Sequence, residues 1–488
     1  MPLRRLAPAL ALLLIGAGFA ASPVRAAEDV LPRTAALGVA PVAVPPELVA
    51  EVGEGRGVLV RQVLPALNAE RLGVQTGDVI LALNGTAISS PAGLVAAIGV
   101  VRAGDALELT LWRDGRELTV SGTAVGKPEE TYRDASVSYG AVPFQGGRLR
   151  DILVLPEGRP DAPVVFIIQG YTCSSVESPS PDFIYSRLTA ELLAHGVGTY
   201  RVEKSGMGDS RGTPRCDSID FETELAAFQA GYKAMMEVRG IPPERIFMFG
   251  HSMGGLEAPL LAAQGPAPRG VAVYGTVLRN WHDYILDVIR IQDVVFGDGD
   301  PVQSAERAES ARETLRRFYL EKRPPADLEA EDALHGRILR DFHGWDGEER
   351  LFGRHYSYWH QLPEQPLTAA WRDTLAETLV LHGAEDAAAV NDEDHRLIAE
   401  VVNHYRPGTA CYVEFLETDH GMDRVGSRGE VRQEARTQGE EPAAGNPRVA
   451  EVLADWVAAT LAKPPLGTQP ESGTESCAGI RLTSAERR

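Results

Sequence analysis

Gly250-His251-Ser252-Met253-Gly254 follows the apolar run Ile246-Phe247-Met248-Phe249, and this junction decides the reading of the chain. The run has strand character, and glycines on both sides of the serine permit a tight strand-to-helix turn that pushes the hydroxyl out at the sheet edge. The apolar segment from Gly255 to Ala263 supplies a helix behind it. A serine hydroxyl is a weak nucleophile until a base takes its proton, so the motif asks for partners. Asp386 after one later strand and His420 after the next stand in a suitable order.

Working outward, apolar runs alternate with helical patterns. Strands are expected at Val164–Ile168, Gly198–Val202, Arg245–Phe249, Val271–Tyr274, Leu379–Leu381 and Tyr412–Leu416. An antiparallel pair is expected from Ser136–Pro143 and Leu149–Leu155, turning at Gly146-Gly147. Phe221, Leu225, Phe228, Tyr232 and Met235 recur at helical spacing behind Asp220, which stands as an N-cap. A last helix begins at Asn446-Pro447, with Val449, Val452, Leu453, Trp456 and Val457 on one side. Such alternation predicts an α/β domain with a mostly parallel sheet covered on both faces. Residues 276–374 break the rhythm with polar, aromatic-rich helical sequence and are read as a helical cap over the site. Residues 423–445 and 463–488 are polar and expected to be mobile.

This half, residues 135–462, resembles the α/β-hydrolase superfamily in its G-x-S-x-G turn and its chain order of serine, acid and histidine. The resemblance implies an acyl-enzyme on Ser252, with His420 as base and Asp386 orienting it. Glu385, Asp392, Asp394 and Asp419 are rival carboxylates; the G-x-x-D pattern after the strand favours Asp386. His251 is expected to point away, and His382 to pack inside a strand. The oxyanion donors implied are the backbone N–H groups of Met253 and Tyr171. Tyr171 occupies the position after His-Gly in many members, but Gln169 replaces the histidine. The Tyr171 hydroxyl is expected to line the substrate wall. Glu203 to Ser210 resembles the family's R-G-x-G-x-S loop and reads as structural. His355 and His360 read as cap packing, and no metal or other cofactor is expected.

From about 34 to 126 short strands dominate, at Gly57–Val60, Asp78–Leu83 and Leu107–Trp112, with a helix from Pro91 to Val101. Asn84-Gly85 and Asp114-Gly115 are turn signals. With Gly73-Val74-Gln75-Thr76-Gly77-Asp78-Val79-Ile80 and Leu83-Asn84-Gly85, the segment resembles a PDZ domain of the bacterial periplasmic protease type. PDZ domains bind C-terminal peptides by strand addition, and Leu37-Gly38-Val39 matches the loop that holds the peptide carboxylate. A spacer that contacts its own hydrolase domain is the plainer alternative.

The N-terminus has a separate character. Arg4 and Arg5 precede the apolar run Ala7–Ala21, and Val24-Arg25-Ala26 offers small residues for cleavage. Residues 1–26 read as a secretory signal, with a membrane anchor as the alternative; the run is short for a span. Residues 27 to about 33 read as a linker. The formal charge of -20 makes nucleic acid and anionic membranes poor partners. Four cysteines lie after the signal. In an exported chain they are free to pair: Cys173 and Cys216 are expected to join in neighbouring loops above the sheet, leaving Cys411 with Cys477.

These readings converge on an exported serine hydrolase acting on a carboxylic ester. A peptidase related to the prolyl oligopeptidase branch is the enzyme alternative, although residues 27–135 are too few for a propeller. A non-catalytic periplasmic adaptor that binds peptides is the alternative of a different class.

Overall fold

The computed structural model describes residues 31–178, 180–431, 444–466, 477, 479–483 and 486. The expected signal, residues 1–26, lies outside the described residues. Elements are numbered in chain order.

The N-terminal unit is a small β-rich domain. It comprises β1 (Val39–Ala43), α1 (Pro46–Val52), β2 (Val58–Val63), α2 (Asn68–Arg71), β3 (Val79–Leu83), β4 (Thr86–Ala87), α3 (Pro91–Gly99), β5 (Ala106–Arg113) and β6 (Arg116–Thr123). Its antiparallel sheet runs β1-β2-β3-β5-β6, with β4 on β3. The hairpin β5–β6 turns at Asp114-Gly115, both at positive φ, the geometry that sequence pair favours. Val58, Val60, Ile80, Leu83, Leu107, Leu109 and Leu111 alternate inward to make its core. Strand β1 is an edge: among the described residues it pairs with β2 alone. Gly38 precedes it at φ 81°, where a Cβ would lie 2.4 Å from Leu67 Cβ, so only glycine fits.

The second unit holds an eight-stranded sheet. Its elements open with β7 (Ala135–Phe144), β8 (Gly147–Pro156), β9 (Val164–Ile168), α4 (Ile184–Ala194), β10 (Gly198–Val202), α5 (Phe221–Glu237), β11 (Ile246–His251), α6 (Gly254–Gln264) and β12 (Gly270–Tyr274). The cap follows with α7 (Trp281–Phe296), α8 (Pro301–Leu315), α9 (Pro325–Glu331), α10 (Ala333–His343), the two-residue strands β13 (Arg350–Leu351) and β14 (Arg354–His355), α11 (Tyr356–Gln361) and α12 (Leu367–Asp373). The core resumes with β15 (Glu377–Gly383), α13 (Glu393–Tyr405), β16 (Ala410–Phe415) and α14 (Pro447–Ala462). Sheet order is β16-β15-β12-β11-β9-β10-β8-β7. The strands from β16 to β10 run parallel, and β8 and β7 add an antiparallel edge.

The central strands are buried along their whole length because helices cover both faces. On one face α5, α6 and the cap meet Phe166, Ile168, Met248 and Val273. On the other, α4 and α14 meet Val165, Ile167, Phe247 and Phe249. Trp456 of α14 packs edge-on against Phe247 at 5.4 Å, and a Cβ on Gly270 would sit 2.5 Å from its ring. Losing such a buried indole costs about 3–5 kcal/mol. Asp220 caps α5 by accepting from Thr223 N–H at 2.9 Å, as its position predicted.

Two expectations need correction. Part of the expected linker is structured: Leu31 is buried, and Arg33 bridges the two units. Arg33 pairs with Glu177 at 2.6 Å and Asp209 at 2.7 Å, while Lys127 pairs with Glu177 at 2.6 Å. Thr34 N–H donates to Asp209, and Arg150 donates to Leu31 O, both at 2.7 Å. The polar stretches after residue 423 are also partly tied down. Asp423–Arg424 pairs with Ala444–Gly445, and Arg481 grips Asp455 at 2.9 Å. Cys411–Cys477 anchors the tail to β16, and Cys173–Cys216 joins the loops after β9 and β10; both pairings match the sequence reading.

Candidate active site

Ser252 sits between β11 and α6 at φ 56°, a left-handed conformation that costs a non-glycine residue energy. The motif glycines explain how the turn closes. A Cβ on Gly250 would lie 2.3 Å from Gly254 O, and one on Gly254 would lie 2.1 Å from Ile168 O. Ser252 N–H donates to Tyr274 O at 2.9 Å, which pins the turn to β12.

Asp386 and His420 meet at the same sheet edge. His420 Nδ1 lies 2.8 Å from Asp386 Oδ2, while Asp386 Oδ1 accepts the N–H groups of Ala388 and Ala389 at 2.8 and 2.7 Å. Gly275 crosses directly above, and a Cβ there would lie 2.7 Å from Asp386 Oδ2 and 2.9 Å from His420 Nδ1. Its φ of 61° and this contact both demand glycine. Burial opposes the charge on Asp386, but His420, His382 and the Ala389 N–H outweigh it and hold the carboxyl well below the usual range. Burial pulls His420 down, and Asp386 more than compensates, raising the imidazole above 6.5. The rival carboxylates are engaged elsewhere: Glu385 by Arg428, Asp392 by Arg396, Asp394 by Arg279, and Asp419 by the N–H of Asp423.

His251 turns away from the hydroxyl, as its place in the motif predicted. Its Nε2 lies 2.9 Å from His420 O and its Nδ1 3.1 Å from the Tyr185 hydroxyl. A neutral ring donating from Nε2 and accepting at Nδ1 satisfies both contacts. Burial, aided by His420, pushes its pKa down to about 4, which keeps it neutral. His251 therefore tethers the backbone of the loop carrying His420; the two rings lie 5.0 Å apart. Among the described residues no hydrogen bond joins the Ser252 hydroxyl to His420, a contact that in unliganded enzymes often tightens only with substrate.

The loop after β9 lies against the serine. A Cβ on Gly170 would sit 3.1 Å from Ser252 Cβ and 3.4 Å from its Oγ. Tyr171 packs beside Trp359 and Phe352 of the cap, in keeping with a wall position. Met253 starts α6 on the other side of the serine. His355 caps α11 and His360 packs on Phe318, and no metal-binding group of residues occurs among the described residues.

A second cluster, absent from the sequence reading, stands behind that loop. Lys204 Nζ donates to Gly170 O at 2.6 Å and to Glu224 at 2.8 Å. Arg354 donates to Tyr171 O at 2.7 Å and pairs with Glu224 at 2.8 Å. Glu257 of α6 is fully buried nearby. Lys204 fell within the loop read as structural, and nothing in the sequence pointed to Arg354.

A model of the alpha/beta hydrolase family matches residues 165–428, more than half of the chain. The chain belongs to the alpha/beta hydrolase family. A PDZ domain model matches residues 35–122 of this hydrolase. Among curated relatives, the periplasmic serine endoprotease DegP of Escherichia coli is 45% identical over 71 residues, 14% of this chain and 15% of DegP. A probable periplasmic serine protease of Haemophilus influenzae is 43% identical over 65 residues, 13% of this chain and 14% of that protein. The hydrolase thus spans about 15% of the length of the curated relatives it matches. Among solved structures, Est1E from Butyrivibrio proteoclasticus aligns at 17% identity and a TM-score of 0.41, covering 67% of this chain and 99% of that one. A puromycin-hydrolyzing peptidase of Mycobacterium tuberculosis aligns at 14% identity and a TM-score of 0.41, covering 75% and 46%. No helix among the described residues is long and apolar enough to cross a membrane.

Proposed function

We propose that this α/β hydrolase is an exported serine hydrolase that cleaves carboxylic esters through an acyl-enzyme on Ser252. The observation that carries the reading is the 2.8 Å contact between His420 Nδ1 and Asp386, on the edge where Ser252 is held at φ 56°. Asp386 keeps the proton on Nδ1, which leaves Nε2 as the basic nitrogen. His420 takes the Ser252 proton as the hydroxyl attacks the ester carbon, and returns it to the leaving alcohol. Water then repeats the sequence on the acyl-enzyme. The N–H groups of Met253 and Tyr171 hold the carbonyl oxygen as its charge develops. Nucleophile, base and donors all come from the chain, so the chemistry asks for no cofactor.

Two disulfides and the basic-apolar N-terminus support export to the periplasm or beyond, with cleavage after Ala26. In the PDZ domain, the free edge of β1 beside Leu37, Gly38 and Val39 suits an added peptide strand. We assign this edge a C-terminal peptide ligand.

The decisive experiment is labelling of the mature protein by a fluorophosphonate. Labelling that disappears in Ser252→Ala, with turnover of p-nitrophenyl esters exceeding that of aminoacyl amides, is the expected result. Amide turnover in excess would make the protein a peptidase. An unlabelled wild-type protein that still binds C-terminal peptides would make it an adaptor.

A further inference from the structure

The buried cluster behind the loop after β9 has a geometry that packing alone does not require. In a trans peptide the C=O of one residue and the N–H of the next point in opposite directions within one plane. Lys204 holds Gly170 O at 2.6 Å, which aims the N–H of Tyr171 the opposite way. Arg354 holds Tyr171 O at 2.7 Å, which fixes the next plane and the N–H of Thr172. Two consecutive carbonyls of the loop that abuts Ser252 are thus gripped by two cations.

The cations are themselves held. Glu224 of α5 reaches Lys204 and Arg354 at 2.8 Å each, and the Tyr358 hydroxyl donates to it at 3.1 Å. The Arg354 guanidinium carbon lies over the Tyr358 ring, 3.9 Å from its centroid. Lys204, Glu224, Glu257 and Arg354 are all buried. Burial, reinforced by Glu224, pushes the Glu257 carboxyl well above the usual carboxylate range, against the pull of Lys204 and Arg354. Lys204 and Arg354 share the carboxylate of Glu224 behind the loop that abuts Ser252. Arg354 comes from the cap, so cap and core each hold one carbonyl.

We infer that Lys204 and Arg354 are positioning residues for the oxyanion site, orienting the peptide planes of residues 170–172 so that the Tyr171 N–H meets the developing charge. This deepens the serine-hydrolase reading and rests on it. Neither side chain touches substrate; each acts through the backbone.

The test separates positioning from mere stability. Lys204→Met removes the donor while keeping most of the volume. It is expected to lower kcat on p-nitrophenyl acetate by about 10- to 100-fold, at or below the loss for deleting an oxyanion donor outright. KM should stay within about twofold, the signature of an interaction made in the transition state. The inhibition constant of phenylboronic acid, whose tetrahedral adduct places an oxygen in the oxyanion site, should weaken by a factor similar to the kcat loss. Lys204→Arg should recover part of both. A folded Lys204→Met with unchanged kcat, or with reduced kcat and unaltered phenylboronic acid affinity, overturns the inference. If that variant does not fold, Glu224→Gln decides: it keeps shape and an acceptor, and should lower kcat by about 3- to 10-fold at constant KM through weakened charge-assisted hydrogen bonds. No kcat change there overturns the inference. A wild-type protein that neither reacts with fluorophosphonate nor turns over esters sinks the parent reading; an active wild type with unaffected variants sinks only this one.

Discussion

The two sides of the Ser252 hydroxyl are built by different means. On the imidazole side, a carboxylate that also accepts two backbone N–H groups holds one ring; both lie in loops after β15 and β16, and His251 of β11 tethers the second loop. On the oxyanion side, the loop after β9 is gripped by side chains from the loop after β10, from α5 and from the cap strand β14. The cap reaches the first side through the backbone just after Asp386, where the Tyr284 hydroxyl donates to Ala388 O at 2.7 Å and Gln292 donates to Ala387 O at 2.8 Å. On the second side a cap cation, Arg354, holds the carbonyl of Tyr171 itself, so that loop's geometry depends on charge as well as on how cap and core dock.

The comparison is broken most severely by Asp386→Asn. An amide at this position accepts from Ala388 and Ala389 but cannot favour the imidazolium, and it stabilises the wrong tautomer. Turnover should fall by about 10⁴-fold, equivalent to ~5.5 kcal/mol. The pH profile gives the sign. The base must be neutral, and Asp386 raises His420 above 6.5, so kcat/KM in the native protein should rise through a limb above pH 6.5. With Asp386 neutralised, burial meets only the weaker pull of Asp419, and the residual activity should show that limb shifted to lower pH. A native limb at or below 6.5 would contradict the coupling.

The oxyanion side should respond more softly to loss of its covalent tie. The Cys173–Cys216 bond closes a loop across 43 residues next to Tyr171. Replacing both cysteines by serine should reduce stability by about 2–4 kcal/mol in the loop-entropy account. Turnover of the folded fraction should drop less than about tenfold, since Lys204 and Arg354 still hold the carbonyls. Thermal unfolding and kcat measured on the same sample separate the two effects. A much larger loss of kcat would mean that the disulfide, and not the cation pair, shapes the loop.

The imidazole side was the more legible in the sequence for a physical reason. Glycines at 250 and 254, an apolar strand before them and an acid after a later strand are requirements of a backbone turn and a chain order, and both are written along the chain. Gly275 left no such signal, because its constraint comes from Asp386 and His420 approaching its Cα from distant segments. Arg354 was invisible for the same reason: an arginine in an Arg/Glu-rich cap looks like a solvated surface residue until the fold buries it. Strand ends were blurred where apolar runs pass into the site, so β11 extends through Gly250 and His251 and β15 through Gly383. Arg33 read as linker because nothing in residues 27–33 announces the carboxylates at 177 and 209.

The smallest expected effect on turnover belongs to Arg33→Met, at the junction between the PDZ domain and the hydrolase. Arg33 stands between Glu177 and Asp209, but Lys127 also pairs with Glu177 and Arg150 with Asp209, so neither carboxylate is left unpaired by the substitution. Glu203 carries the contact onward to the oxyanion loop through the Ser175 hydroxyl and the Val176 N–H, and it does not touch Arg33. Turnover should therefore stay within about twofold, a change too small to reflect a lost transition-state contact. The junction itself should weaken, and calorimetry should separate the unfolding of the two units. Acid should weaken it in the native protein too. Burial opposes the charge on Glu177 and Asp209, but their cationic partners outweigh it and hold both below the ordinary 4.5 and 3.8. Their contribution is complete above those values and is lost as pH falls through the depressed ones, so proteolytic nicking near residues 31–35 and 125–130 should appear only below pH 4.5 and grow as the pH falls further. A tenfold change in kcat in Arg33→Met would instead show that the PDZ domain's root sets the oxyanion loop, which Lys127 already touches through Ser175 and Glu203.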